Sequence, residues 1–346
     1  MTVIFTICSN NYLAQAKTLM DSVKKYNPGY KRVIGLVDRH SERIDYSAFE
    51  GIDIIPVEDL ALDRWNEMLN EYDLIELNTS VKPSYFRFIR EKYSSAEKVF
   101  YFDPDTRLFA GLDKLFSLLE KKIILLTPHI LSPIPLDGLL PQEQTFLGHG
   151  IYNLGFIGIN IRNKESARFL KWWEERCINS CFRKVAEGLF VDQLWINHAH
   201  LLFKGIHVLR EHAYNMAPWN LHERSVERKT EQGYELNDGS MLTFYHFSSY
   251  DYRHPEQVYR PFYNRFSFES RPDLLELYTK YHQELLVNNV EAFSSIPCYF
   301  YPLVKDAGKQ VPGSVLRRNA GYYIKLFIPP VFIHLYRGLK NRKRSA

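Results

Sequence analysis

Cysteine is scarce in this chain. Four residues out of 346 (Cys8, Cys177, Cys181 and Cys298) form no metal-ligand spacing and no dense disulfide framework. Cys177 and Cys181 lie one helical turn apart, so reduced, half-buried thiols in a cytosolic protein are expected. Long apolar runs are missing too: none reaches the ~20 residues that a bilayer-spanning helix needs. The opening stretch MTVIFTICSN lacks a basic segment and a long enough apolar run for a secretory leader. There is no internal repeat and no low-complexity linker. Acidic residues are absent after Asp306, where nine Lys and Arg follow, from Lys309 to Arg344. With the whole chain at +4, the remainder carries −5. A mildly acidic body without a basic stripe argues against nucleic-acid binding, and no such partner is expected.

What is present is an ordinary globular composition, 45% apolar and 24% charged, with aromatics at 15%. The first ~130 residues alternate strand and helix signals. TVIFTICS, KRVIGLVD, IDIIPVEDL, KVFYFDPD and KKIILLTPH read as strands. LAQAKTLMDSVKKYNP reads as a helix with Leu13, Ala16, Leu19, Met20 and Val23 on its apolar face. A long helical stretch over about 63–93 is expected to break near Pro83. This alternation predicts an α/β fold with a mostly parallel sheet between helices. In the second half, IYNLGFIGINI reads as a strand whose Gly155 and Gly158 imply close approach of another group. LFVDQLWINHAHLLF is expected to be a helix with Asp192 and Gln193 near its start. From Arg271 onward the chain is expected to be helical and is rich in aromatics.

Ligands of such sheets lie beyond the carboxyl ends of the strands. Three strand ends offer polar groups there: the segment Cys8–Tyr12, Asp38, and the pair Asp103 and Asp105 in KVFYFDPDTRLF. Two carboxylates one residue apart repel unless they share a proton or a cation. The nearest cation in sequence is Arg107. Three readings compete. The pair can hold a divalent ion on a nucleoside diphosphate, because hard oxygens suit Mg²⁺ or Mn²⁺. It can belong to an aspartyl-phosphate phosphatase, although Arg107 stands where that signature needs Thr or Val. Or it can simply form an Asp-Pro-Asp turn.

The motifs SVKPSYFRFIREKYSSAEKVFYFDPDTRLF, GIYNLGFIGI, GLFVDQLWIN, AYNMAPWNLHER and FYHFSSYD follow one another in this order. Together they resemble bacterial nucleotide-sugar glycosyltransferases of the GT-A fold related to glycosyltransferase family 8. The resemblance runs from about residue 1 to about residue 255. It implies a GT-A, Rossmann-like, mixed and mostly parallel sheet over residues 1–255, with a helical extension over 256–346. It implies Mn²⁺ or Mg²⁺ held by Asp103, Asp105 and His246, and a nucleoside held by the loop from Thr6 to Tyr12, with Ser9, Asn11 and a base-stacking Tyr12. Asp38 is expected near the ribose or base, and Lys82 near the diphosphate or donor sugar. Asp192 and Gln193 match a pair beside the anomeric carbon in retaining members. Trp219 and Asn220 would line the sugar or acceptor site. One departure stands out: the family follows "HF" with a glycine and then a diphosphate-binding lysine, whereas this chain reads HFSSYDYRH, with Arg253 as the candidate substitute.

The expected activity is hexosyl transfer from a UDP- or GDP-sugar to a saccharide or lipid-linked acceptor in bacterial surface polysaccharide synthesis. The basic, aromatic tail GYYIKLFIPPVFIHLYRGLKNRKRSA suits either docking on the core or attachment to an anionic inner membrane face, giving a cytoplasmic or peripheral location. Two other classes remain. A sugar nucleotidyltransferase would usually carry a Gly-rich loop after the first strand, which CSNNYLAQAK lacks. An inactive sugar-binding protein would keep the aromatics without metal-dependent nucleotide affinity.

Overall fold

The computed structural model describes residues 1–258 and 263–304. The basic tail lies outside the described residues. Strand β1 (Thr2–Cys8) feeds helix α1 (Leu13–Tyr26), then β2 (Lys31–Leu36) and β3 (Ile52–Pro56). Three helices follow: α2 (Trp65–Glu71), α3 (Leu74–Ser80) and α4 (Lys82–Lys92). The expected single helix with a break at Pro83 is therefore corrected. An Asp73–Glu76 capping box starts α3, Val81 separates α3 from α4, and Pro83 lies in the first turn of α4. Proline at a helix start costs no hydrogen bond, so it begins this helix and does not interrupt it.

Next come β4 (Lys98–Phe102), the short β5 (Thr106–Leu108), α5 (Asp113–Lys121), β6 (Ile124–Pro128), α6 (Glu143–His149), β7 (Tyr152–Asn160) and α7 (Lys164–Ser180). The stretch 189–203 is not the helix its apolar spacing suggests. It holds β9 (Leu189–Phe190), paired with β8 (Arg183–Lys184), then a 3-10 turn over Leu194–His198 and only one turn of α8 (Ala199–Leu202). The reason is tertiary: Asp192 is buried beside a lysine from α4, and Val191 is forced to φ +40° to put it there. That conformation is strained for a β-branched residue. The chain closes with β10 (Ile206–Val208), a hairpin of β11 (Val226–Thr230) and β12 (Gly233–Leu236), then β13 (Phe244–His246), α9 (Leu275–Val287) and α10 (Val290–Ser294).

Seven strands form the main sheet in the order β10-β6-β7-β4-β1-β2-β3. All neighbours are parallel except β7, which runs antiparallel to both β4 and β6. The architecture is the mixed, mostly parallel sheet flanked by helices that the strand alternation predicts. Alternation along β1 sorts its side chains between two cores: Val3, Phe5 and Ile7 pack with the residues of α4 and α7, and Ile4 with those of α1, α5 and α9. The expected apolar face of α1 is buried throughout. Both predicted close approaches on β7 occur. A β-carbon at Gly155 would lie 2.5 Å from His246 Cε1, and one at Gly158 would lie 2.8 Å from the Phe100 ring.

Candidate active site

The aspartates leave the sheet where β4 ends. The Asp103 amide still donates to Gly155 of β7 (2.8 Å), and the Thr106 amide returns to Asp103 O (3.0 Å), closing a turn around Pro104. The chain then enters β5, which pairs antiparallel with β13 in a separate two-stranded ribbon that sets His246 opposite Thr106. The Phe247 amide donates to Asp105 O (2.8 Å), and the His246 amide to Met216 O (2.8 Å). The imidazole thus arrives over Gly155, with its Nε2 3.0 Å from Asp105 Oδ1 and 3.8 Å from Asp103 Oδ2. One donor atom from each of the three residues lies within 4.8 Å of the others. Trp219 meets the His246 ring edge-on at 5.1 Å, and Tyr101 donates to Asp103 Oδ1 at 2.6 Å. Burial disfavours a charged His246, but Asp105 and Asp103 outweigh it and raise the imidazole's pKa above its ordinary value.

Two carboxylate oxygens are hard donors that suit Mn²⁺ or Mg²⁺, and the imidazole nitrogen, a borderline donor, suits Mn²⁺ better than Mg²⁺. Asp103 and Asp105 are partly exposed, so a substrate oxygen can complete the shell.

A second charged group stands behind the first. Lys82 Nζ lies 2.7 Å from Asp192 Oδ2, donates to Leu154 O (2.9 Å) and sits 4.3 Å from the centre of the Tyr101 ring. The two side chains are only 2% and 3% exposed. Burial alone would lower the lysine's pKa, but Asp192 and Asp103 offset it and hold it above the ordinary lysine value. Gln193 accepts from the Leu154 amide (3.3 Å) and donates to His149 O (2.7 Å). Lys82 and Gln193 therefore both bond Leu154, next to the glycine beneath His246, and Asp192 joins them through Lys82. Lys82 is no solvated helix charge, and Asp192 is no simple helix-start carboxylate.

The expected nucleoside loop lies at the end of β1. Thr6 is buried in the strand, and its hydroxyl has no hydrogen-bond partner among the described residues. Ser9 donates to Val37 O (3.0 Å). Asn11 is half-buried. Tyr12 is 45% exposed and lies within electrostatic reach of Asp105, Asp251 and Arg253. Asp38 is engaged by backbone: it accepts from the amides of Asn10 (3.1 Å), Arg39 (2.9 Å) and Tyr299 (2.8 Å). It thereby ties the loop to the segment after α10. Trp219 and Asn220 sit on a 3-10 turn. Asn220 bonds the Ala217 amide (2.9 Å) and the carbonyls of His129 (3.2 Å) and Asn215 (3.0 Å), which holds that turn in place. Arg253 forks onto Asp251 (2.9 and 3.2 Å) at the mouth beside Tyr12. Ser249 takes φ +63°, a left-handed conformation that a glycine would adopt without strain.

Sequence reasoning missed His129, Asn153, Asn215, Tyr263 and Tyr281. His129, the residue after β6, is buried, stacked on Phe146 (4.7 Å) and edge-on to Trp219 (5.5 Å), and burial lowers its pKa to about 3. Asn153 accepts from the Gly155 amide (3.1 Å) and from Asn215 (3.0 Å). The hydroxyls of Tyr263 and Tyr281 both feel Asp105. His129 carried a readable signal, since KKIILLTPH ends in a polar group just as KVFYFDPD does. The two tyrosines carried none, being more than 150 residues from the aspartates in sequence.

No protein-family model matches the chain. Two uncharacterised proteins of Bacillus subtilis strain 168 are similar to it. YfnF is 26% identical over 247 residues, covering 71% of this chain and 80% of that protein. YfnD is 25% identical over 218 residues, covering 60% and 67%. Among solved structures, the galactosyltransferase LgtC with donor and acceptor sugar analogues is 15% identical with a TM-score of 0.45, over 82% of this chain and 95% of that one. GlyE of Streptococcus pneumoniae TIGR4 is 18% identical with a TM-score of 0.45, over 86% and 65%. The bifunctional glycosyltransferase WbbM is 13% identical with a TM-score of 0.48, over 83% of this chain and about half of that one (51%).

Proposed function

We propose that this chain is a metal-dependent GT-A glycosyltransferase, related to glycosyltransferase family 8, that moves a hexose from a nucleoside diphosphate sugar to a saccharide or lipid-linked acceptor. The observation that carries the reading is the convergence of Asp103, Asp105 and His246, drawn from two distant segments, at the carboxyl end of a central strand. Asp103, Asp105 and His246 would hold Mn²⁺ or Mg²⁺, which when bound neutralises charge on the departing diphosphate. Tyr12 offers its exposed ring to the base, at the mouth it shares with Asp105. Arg253, beside it, is the residue best placed to replace the family's lysine on the diphosphate. Lys82 fixes Asp192 in a dry site and offsets part of the rise in its pKa that burial imposes. Asp192, held by Lys82, and Gln193, bonded to Leu154, are read as flanking the anomeric carbon, which favours retention of configuration. Trp219 would form one wall of the sugar site.

Among the described residues no helix is long and apolar enough to cross a membrane. The reading for the tail is peripheral binding to an anionic inner leaflet, at about 1 kcal/mol per basic residue near the surface. It fits a lipid-linked acceptor in surface polysaccharide assembly. A chain ended after Gly321 loses six of the nine basic residues and should no longer sediment with anionic liposomes.

The deciding experiment is calorimetry with UDP and GDP, with and without Mn²⁺, on wild-type protein and Asp105→Asn. The expected result is metal-dependent binding by the wild type, lost in the variant, followed by turnover of a matching sugar nucleotide. Equal nucleotide affinity in EDTA, or full activity of Asp105→Asn, overturns the metal role. Pyrophosphate production from a sugar phosphate and a nucleoside triphosphate would indicate a nucleotidyltransferase instead.

A further inference from the structure

The ribbon that carries the candidate metal ligands is very small. β5 and β13 have three residues each and stand apart from the main sheet. A two-stranded pair of this length is not stable alone. Something must hold it: α1 packs against β5, where Ser22 Oγ accepts from the Leu108 amide (3.1 Å), and α9 supplies side-chain contacts to both strands. Tyr278 meets Tyr245 of β13 through paired hydroxyls (3.0 Å), with ring centres 5.6 Å apart. Tyr281 stacks flat on Phe247, the residue after His246, at 3.9 Å. One turn further along the same helix, Glu284 forks onto Arg107 of β5 at 2.6 and 2.8 Å. Tyr278, Tyr281 and Glu284 recur every third residue, which puts them on one helix face.

Arg107 is central to this arrangement. It follows the aspartate turn, stands in register with Tyr245, and neighbours Thr106, which faces His246. Its side chain is 1% exposed and points away from the aspartates, into Glu284, the Leu108 carbonyl (3.0 Å) and the Phe109 ring (4.4 Å). A bidentate arginine–carboxylate pair fixes direction as well as distance. Glu284, 34% exposed, opens onto a cleft of about 470 Å³ between α1 and α9.

We propose that the Arg107–Glu284 pair is a positioning device. It pins α9 to β5 and thereby sets the distance between the aspartate turn and His246, and so the metal affinity of the site. The inference rests on the metal reading of that site. Neither residue touches the ion; both act through the ribbon.

The test uses full-length metal-free protein: wild type, Glu284→Gln, and the double variant Arg107→Met with Glu284→Met. Mn²⁺ binding is read by titration calorimetry and stability by urea unfolding. Removing one partner of a buried pair strands the other, whereas removing both can leave stability intact. Glu284→Gln should lower the urea midpoint and weaken Mn²⁺ binding about tenfold or more, the range seen for groups that orient ligands. The double variant should recover the midpoint while Mn²⁺ binding stays weak. That separation is one a purely structural pair would not produce. If Glu284→Gln fails to fold, the double variant alone carries the test. A double variant that binds Mn²⁺ as tightly as wild type overturns the inference. Wild-type protein that binds neither Mn²⁺ nor Mg²⁺ overturns the metal reading itself, and the inference with it.

Discussion

Replacing Gly155 with alanine adds one methyl group and should disable the proposed metal site. Gly155 lies in extended β7, so alanine brings no backbone penalty and the effect is purely steric. Its β-carbon would lie 2.5 Å from Cε1 and 2.6 Å from Nδ1 of His246, and 2.6 Å from Asn153 Oδ1. Ordinary contact begins at 3.4 Å, so the imidazole must recede by about 1 Å. It has little room, because Trp219 closes on its edge at 5.1 Å. Overpacking of this kind costs roughly 1–3 kcal/mol. In a chain of 346 residues that is a fall in Tm of only about 1–4 °C. The larger effect is functional. Nε2 now sits 3.0 Å from Asp105, and moving it ~1 Å should weaken Mn²⁺ binding about 10–100-fold. Calorimetric Mn²⁺ titration alongside thermal melting reads both quantities. Gly158→Ala is the control. Its β-carbon would press on Phe100 at 2.8 Å, far from any metal-ligating group, so it should lose stability and keep metal affinity. If Gly155→Ala binds Mn²⁺ like the wild type, or if both variants lose affinity equally, His246 does not act from its place over β7.

Two further outcomes follow from buried charge. Lys82→Met strands the Asp192 carboxylate and should cost about 3–5 kcal/mol in urea unfolding, most of it recovered by adding Asp192→Leu. His129 is held neutral, with its pKa lowered from 6.5 to about 3 by burial. The unfolded chain therefore binds the extra proton first, and stability present above pH 6.5 is lost as pH falls from there toward 3, by up to ~1.4 kcal/mol per pH unit. His129→Phe keeps the stacking on Phe146 and should flatten that acid limb, as unfolding at pH 7 and pH 5 will register.

The strand ends were the legible part of this chain. An apolar run stopping at two carboxylates marks a sheet's ligand side by itself, and β4 behaves as its composition suggests. Gly155 and Gly158 signalled close approach correctly, but a glycine cannot name its neighbour, and the partners were a histidine 91 residues away and a phenylalanine on the adjacent strand. The resemblance, not the local pattern, singled out His246, whose aromatic flanks suit a core position equally well. The helix readings failed where long-range contacts decide. Asp192 follows Lys82 into the interior and bends the backbone at Val191, so the apolar spacing of 189–203 describes burial and not helicity. The Asp73–Glu76 cap was readable, but the apolar spacing on either side hid it. Arg107 is the nearest cation to the aspartates in sequence, yet it faces Glu284, and nothing in the local sequence announces that choice.

The contact between β5 and α9 joins residues 177 positions apart. During synthesis, the segments that form β1 to β7 leave the ribosome long before α9 exists. The central sheet can pair early, but the ribbon beneath the proposed metal ligands lacks its α9 contacts until the chain has grown past Glu284. A nascent chain stalled short of that point should therefore expose a sheet of near-final form with a loose aspartate turn and little hold on a cation. On the proposed metal reading, capture of the ion becomes a late event in the life of the polypeptide, one that distinguishes a finished molecule from an unfinished one.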